Sequence, residues 1–147
     1  MNILLHVINH AISWAFPKSK NIWIYGEWFG ERLGDNSYYA FRATSNKRIK
    51  KVWIARSPSV IERIREEGGL CYYATSLKGL YFQARAGVFF CSVNSRDFCF
   101  SSVTPRVILF QLWHGLPLKK IGFDVERRSV LQRMLDVIRS SLIDNYS

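Results

Sequence analysis

Short apolar runs recur along the chain at intervals that match a β-α repeat, and this spacing constrains the fold more than any other feature. The runs are NIWIYG (21–26), KKVWIA (50–55), LCYYA (70–74), VFFCS (88–92) and RVILFQLW (106–113). Unbroken apolar runs are typical of strands that are covered on both faces, and helical segments separate the first four. The order β-α-β-α-β-α-β therefore predicts an α/β fold with a doubly wound parallel sheet.

Capping signals mark where the helices between these strands begin. Asp35 and Asn36 are both favourable N-cap residues, so we expect a helix to begin near them. Ser59, with a glutamate three residues later, has the spacing of a capping box. Serine and glycine signals predict a further helix over 76–86, and apolar periodicity predicts a last helix over 124–142.

Residues 1–17 form a separate segment ahead of the first strand. This stretch is apolar but too short to span a bilayer, for which about 20 residues are needed, and it lacks the basic start and cleavage site of a signal peptide. At helical spacing its polar residues share one face, and these are His6, Asn9, His10 and Ser13. The opposite face carries Leu4, Leu5, Ile8, Ile12 and Phe16. We expect an amphipathic helix that either docks on the protein or lies in the plane of a membrane surface.

The charge balance predicts an anionic partner. The chain has 21 basic and 11 acidic residues, a net charge of +10, which suits nucleic acid, an anionic membrane or a phosphate-rich substrate. Nucleic acid is not expected, because helix-turn-helix, RNP and zinc-finger patterns are all missing. Cys71, Cys91 and Cys99 lack the CxxC spacing of metal or redox sites, so we interpret them as reduced packing residues. We expect neither a metal ion nor a cofactor.

The stretch LWHGLPLKKIG (112–122) begins where the fifth apolar run ends and carries a histidine and two lysines. Ligands of open α/β sheets bind beyond the carboxyl ends of the strands, and His114 is expected at that edge. A neutral imidazole is a suitable general base for a hydroxyl group. Lys119 and Lys120 would attract a phosphorylated substrate and would lower the pKa of the histidine. The residues alone leave open the alternative of a structural histidine beside ordinary surface lysines.

The segment WHGLPLKKIGFD (113–124) resembles the WHG-x-P-L-K-K-x-G-x-D signature of the CDP-glycerol glycerophosphotransferases, the primases and polymerases of wall teichoic acid. Three further stretches resemble the same family in the same order. They are WIYGEWFGERLGDNSYYAF (23–41), KKVWIA (50–55) with its Ser-Pro helix, and SLKGLYFQARAGVFFCS (76–92). The resemblance extends over roughly residues 17–124.

This resemblance implies a GT-B-like enzyme, with residues 18–147 forming its Rossmann-like acceptor-side domain. Such an enzyme transfers glycerol phosphate from CDP-glycerol to a hydroxyl of a lipid-linked or glycerophosphate acceptor and releases CMP. The resemblance also implies a peripheral protein on the cytoplasmic face of the cell membrane.

The resemblance assigns the role of catalytic base to His114. The substrate-binding positions that it implies are Trp113, Gly115, Lys119, Lys120, Asp35 and Asn36. For the Asp-Asn pair, helix capping is an equally good interpretation.

Members of the family carry a second domain that holds most of the CDP-glycerol site. We therefore expect the 147 residues to be the acceptor-facing half of the fold, inactive alone. Two alternatives stay open. One is a non-catalytic basic module that binds anionic membrane or polymer, and the other is a GT-B glycosyltransferase that uses a nucleotide sugar.

Overall fold

The computed structural model of the protein describes residues 3–99 and 102–113. Within these residues five strands form one parallel sheet with the order β3-β2-β1-β4-β5. The strands are β1 (Ser19–Tyr25), β2 (Lys50–Ala55), β3 (Leu70–Tyr73), β4 (Ala86–Cys91) and β5 (Ile108–Gln111). The prediction of a doubly wound parallel sheet in an α/β fold is confirmed.

Among the described helices, the first precedes β1, and the others lie between successive strands in the predicted order. They are α1 (Ile3–Ala15), α2 (Asn36–Ala43), α3 (Pro58–Glu66) and α4 (Leu77–Arg85). Two short 3₁₀ turns, Trp28–Gly30 and Ser95–Asp97, follow β1 and β4. The predicted helix over 124–142 lies outside the described residues.

The direction in which successive strands are added to the sheet reverses between β1 and β4. The chain builds outward from β1 to β2 and β3, and α4 then returns it to the other side of β1, where β4 and β5 are added. On β1, Trp23 pairs with Lys51 of β2 and with Val88 of β4. In sheets of this kind the crevice at the change of direction, outside the carboxyl ends of the strands, is where ligands bind.

Both faces of the sheet are covered by apolar side chains, as the unbroken apolar runs predict. Adjacent residues of β1 point to opposite faces, so Ile24 and Tyr25 belong to different clusters. The cluster on the side of α2 and α3 includes Tyr38, Phe41, Trp53, Val60 and Ile64. The cluster on the other side, against which Leu80 and Phe82 of α4 pack, includes Val52, Ile54, Phe89 and Phe98. This two-sided core fixes the strand ends that carry the candidate site.

Two boundaries differ from the sequence-based expectations. The N-cap position of helix α3 is Ser57, whose side chain makes no capping hydrogen bond, and the prediction of a cap at Ser59 was wrong. Pro58 explains the difference, because its fixed φ and missing N–H suit the first position of a helix. Strand β5 is shorter than the apolar run 106–113, since a positive φ of 62° at Trp113 turns the backbone out of the extended conformation.

Candidate functional site

The segments that follow β1, β4 and β5 meet at the carboxyl edge of the sheet, and buried carboxylates organise them. Glu27, just after β1, is fully buried. Its Oε1 accepts hydrogen bonds from the backbone N–H groups of Gly34 (2.7 Å) and Asp35 (3.2 Å), and its Oε2 accepts one from Tyr38 (3.1 Å). Burial raises the pKa of the Glu27 carboxyl, while these hydrogen bonds act to lower it. Glu27 therefore anchors the first turn of α2 to the end of β1.

Asp97 joins the loops that follow β1 and β4. Its carboxylate is fully buried, and its Oδ1 accepts from the N–H of Phe29 at 2.8 Å. Its Oδ2 accepts from the N–H groups of Ser92 and Val93, both at 2.9 Å. Burial raises the pKa of the Asp97 carboxyl, and the hydrogen bonds again act in the opposite direction. One side chain thus bridges the two loops at the change of strand order.

The turn after β1 has an unusual backbone. Trp28, Phe29 and Gly30 all have positive φ, at 47°, 58° and 83°. For the two aromatic residues this left-handed conformation costs about 1–2 kcal/mol each, and it persists only where the surroundings impose it. Asp97 holds the N–H of Phe29, and the guanidinium of Arg56 donates to the carbonyl oxygen of the same residue. The turn is therefore fixed from both sides.

Arg56 extends this arrangement to the loop after β4. Its guanidinium also donates to the carbonyl oxygens of Arg96 at 2.9 Å and of Phe98 at 3.0 Å. Arginine presents several N–H donors in a rigid planar group, which allows one side chain to hold three carbonyls at once. The end of β2 is thereby tied to the loops that follow β1 and β4.

The structure brings two of the predicted site positions, Asn36 and Trp113, into contact. Asp35 is the N-cap of α2, and its Oδ1 accepts from the N–H of Asn36 at 2.8 Å. The side-chain amide of Asn36 donates to the carbonyl oxygens of Leu112 at 3.1 Å and Trp113 at 2.9 Å. The expected capping role of Asp35 is therefore present. Asn36 lies against the end of β5, immediately before His114 in the chain.

The other predicted site residues lie outside the described part of the chain. They are His114, Gly115, Lys119 and Lys120. The roles that the family resemblance implies for them, and for Trp113, stay predictions.

Sequence reasoning missed Glu27, Asp97 and Arg56 as organisers of this edge. A signal was available for Glu27 and Arg56, because each stands one or two residues beyond an apolar run, where the carboxyl edge of a parallel sheet is expected. Asp97 carries no such signal, since it stands in a polar loop six residues after β4.

The described residues contain neither a cluster of metal-ligating side chains nor a helix that could cross a membrane. Within residues 3–99 and 102–113, no group of three or more His, Cys, Asp or Glu side chains could hold a metal ion. Over the same ranges no helix is both long enough and apolar enough to cross a membrane.

The family assignment comes from the sequence as a whole. The profile of the family described as CDP-glycerol:poly(glycerophosphate) glycerophosphotransferase matches residues 8–146. The chain belongs to this family. The glycerophosphotransferase resemblance carried by the separate motifs is thereby confirmed.

Relatives of known name agree with this membership. Over 137 residues the chain is 26% identical to the teichoic acid glycerol-phosphate transferase of Staphylococcus aureus, a match that covers 88% of this chain and 34% of the relative. Two solved forms of the wall teichoic acid polymerase TagF have similar folds. A histidine-to-alanine form has a TM-score of 0.67 at 12% identity, covering 97% of this chain and 39% of the polymerase. A histidine-to-asparagine form soaked with CDPG for 30 minutes has a TM-score of 0.62, also at 12% identity, covering 92% and 38%.

These matches show different things. Family membership rests on the profile match, whereas identities of 12% show likeness of fold alone. The chain spans about a third of the length of its S. aureus relative and less than two fifths of the solved polymerase chains.

Proposed function

We propose that this glycerophosphotransferase-family chain is the acceptor-side part of an enzyme of teichoic acid synthesis. The enzyme transfers glycerol phosphate from CDP-glycerol to a hydroxyl group of a lipid-linked or glycerophosphate acceptor and releases CMP. The observation that carries the proposal is the match of residues 8–146 to the family profile. The organised carboxyl edge around the end of β5, which precedes the WHG motif directly, supports it.

In the proposed reaction His114 acts as general base. It takes the proton from the acceptor hydroxyl while that oxygen attacks the β-phosphorus of CDP-glycerol. A bond forms between phosphorus and the acceptor oxygen, and the bond from phosphorus to the oxygen that CMP retains breaks. Lys119 and Lys120 stabilise the negative charge of the phosphate groups.

The experiment is an assay of CMP release from CDP-glycerol in the presence of a glycerophosphate acceptor. It compares the 147-residue chain with a form extended by the second domain that longer family members carry. We expect activity in the extended form alone, and a loss of at least about 100-fold with His114→Ala, since general-base catalysis contributes about 10²–10⁴-fold. Asn46→Asp, on an exposed loop away from this edge, is the matched control.

Two outcomes would contradict parts of the proposal. Robust CMP release by the 147-residue chain alone would show that the second domain is not required. An extended form that is inactive yet still binds anionic polymer would favour a non-catalytic binding module.

The proposal also places the chain on the cytoplasmic face of the cell membrane, attached through α1. Two polar residues of this helix, Asn9 and Ser13, are buried, and the Nδ2 of Asn9 donates to Ser102 Oγ at 2.9 Å. The outward side carries exposed apolar residues, which are Val7, Ile8, Ile12, Trp14 and Phe16. The exposed apolar surface continues onto α4, where the ring of Tyr81 meets that of Phe16 and Leu77 is 89% exposed.

An apolar helix face directed at solvent, on a chain of net charge +10, is the pattern of an interfacial membrane helix. Basic side chains border this surface, with Lys20 and Arg106 exposed near the end of α1 and Lys78 exposed on α4. These charges suit anionic lipid head groups.

A further inference from the structure

The chain leaves β5 through a turn that its own residues do not favour. The N–H of Leu112 donates to the carbonyl of Cys91 at 2.7 Å, in continuation of the pairing between β4 and β5. The next residue, Trp113, has a φ of 62°, a left-handed conformation that is unfavourable for a bulky side chain. His114 follows directly. The direction in which the chain enters the WHG motif therefore depends on what holds this turn.

Asn36 holds it. Its Nδ2 lies 3.1 Å from the carbonyl oxygen of Leu112 and 2.9 Å from that of Trp113. A carbonyl oxygen can only accept a hydrogen bond, so the NH₂ group and not the amide oxygen must face the two carbonyls. The two N–H groups of one amide thus donate to two successive carbonyls, and these carbonyls flank Trp113, the residue with positive φ.

The backbone of Asn36 is itself fixed. It is the first residue of α2, capped by Asp35, and Glu27 binds the N–H groups on both sides of it in the chain. Next to it, the buried hydroxyl of Ser37 accepts a hydrogen bond from Ser92, just after β4. Because the helix start is held to the ends of β1 and β4, the amide is a rigid support for the turn.

We propose that Asn36 is a positioning residue for the transfer reaction. It fixes the turn through which the chain reaches His114, and it acts through the backbone of residues 112 and 113 instead of contacting substrate. The inference rests on the proposed role of His114 as general base. The two residues of the Asp-Asn pair then have different roles, because Asp35 caps α2 and Asn36 orients the segment after β5.

The variant Asn36→Asp tests this with little change of shape. A carboxylate has no N–H to donate, and its negative charge repels the two carbonyl oxygens. The same charge is favourable in the first turn of a helix, so the substitution does not weaken α2. The matched control is Asn46→Asp, where the side-chain oxygen accepts from the N–H of Arg48 at 2.9 Å. A carboxylate accepts that bond equally well.

Hydrogen exchange of the 147-residue chain gives the first measurement, and it needs no substrate. With Asn36→Asp we expect the Leu112 amide to exchange about tenfold faster, because the turn beyond it opens more often. In Asn36→Asp, the exchange rates of the amides in β1 and β2 and the Tm should equal those of Asn46→Asp. Unchanged exchange at Leu112, or a general loss of protection across the sheet, would overturn the proposal. Because this measurement needs no substrate, its result can be interpreted even if the proposed enzymatic function proves wrong.

Kinetics of the extended, active form give the second measurement. We expect Asn36→Asp to lower kcat by about 10–100-fold with KM for CDP-glycerol and for the acceptor nearly unchanged, since a displaced catalytic group slows the reaction without weakening binding. A raised KM for the acceptor with unchanged kcat would assign Asn36 to substrate binding and overturn its role as a positioning residue.

Discussion

Individual buried polar side chains in this protein serve the backbone of distant segments. Gln83 of α4 is fully buried, and its Nε2 donates to the carbonyls of Ala74 (2.8 Å) and Gly79 (3.0 Å). Its Oε1 accepts from the N–H of Cys99 at 2.8 Å. An unpaired polar group in such a place would cost about 1–3 kcal/mol, so each of these residues stabilises one arrangement of the loops around it. Glu27 and Asp97, both fully buried, act in the same way at the carboxyl edge.

Lys18 gives a prediction at this scale. Its Nζ donates to the carbonyl of Ala84 at 2.8 Å, and burial, assisted by the charge of Arg106, lowers its pKa from 10.5 to about 8. Between these two values the folded chain binds fewer protons than the unfolded chain, so this lysine makes folding more favourable as pH rises through that range. We expect the free energy of unfolding of wild type, relative to Lys18→Met, to increase between about pH 7 and about pH 10.

Urea unfolding at the two pH values measures this difference. The comparison with Lys18→Met cancels the opposing contribution of the buried thiols, since burial raises the pKa of Cys71 and Cys91 to about 12 and makes alkaline pH unfavourable for folding. Lys20→Met, at an exposed lysine two residues further along the chain, is the control. A difference between wild type and Lys18→Met that stays constant with pH would contradict the prediction.

At the scale of elements, the close approach of α4 to the end of β3 depends on Gly79. A Cβ atom at this position would lie 2.2 Å from the carbonyl oxygen of Tyr73 and 3.0 Å from Ser76 Oγ. Alanine favours helices over glycine by about 1 kcal/mol, but here the helix would have to move away from the strand. We expect Gly79→Ala to lower the free energy of unfolding by about 2 kcal/mol or more, measured by denaturant titration.

The control for this prediction is Gly68→Ala. Gly68 ends α3 with a φ of 77° and has no atom near the position of an added Cβ. The substitution therefore introduces backbone strain without a clash, at a cost of about 1 kcal/mol. Equal losses at the two positions would contradict the steric explanation for Gly79.

Elements with strong local signals were predictable from the sequence. The apolar runs predicted the strands and their parallel sheet, and Ser76 was expected as the cap of α4, where its Oγ accepts from the N–H of Gly79 at 3.1 Å. Strand β5 was predicted too long because hydrophobicity does not mark where pairing ends. Its Ile108 and Phe110 are 53% and 46% exposed at the edge of the sheet.

Sequence patterns marked single residues near the carboxyl edge of the sheet, but not the long-range contacts between them. Asn36 was singled out by a pattern, yet its partners lie 76 and 77 residues further along the chain, and no local signal reports such a pairing. The same limit applies to Asp97, whose bond to Phe29 spans 68 residues. A lone charged residue in a loop usually faces water, and only the fold shows that this carboxylate is buried and serves the backbone.

At the scale of the whole molecule, the proposed attachment to a membrane would have two separate sources, the net charge and the apolar face of α1. The charge of +10 attracts anionic lipid over a distance set by salt, about 10 Å at 0.1 M and about 3 Å at 1 M. The outward apolar face of α1 includes the exposed residues Ile8 and Ile12, and under the proposal it would add an affinity that salt does not screen. The two contributions can be separated by experiment.

We expect binding of the 147-residue chain to anionic vesicles to fall as salt is raised and then to level off above zero. The double variant Ile8→Ser and Ile12→Ser should lose the residual binding at about 1 M salt while it keeps part of the low-salt binding, because screening at that concentration removes the charge term alone. Vesicle co-sedimentation measures both forms. Ile108→Ser, at an isoleucine of similar exposure on β5, is the control and should behave like wild type.

Complete release of wild type at high salt would mean that charge alone holds the chain to lipid. A wild-type dimer in the absence of lipid that Ile8→Ser and Ile12→Ser dissociate would instead show that a second copy covers α1.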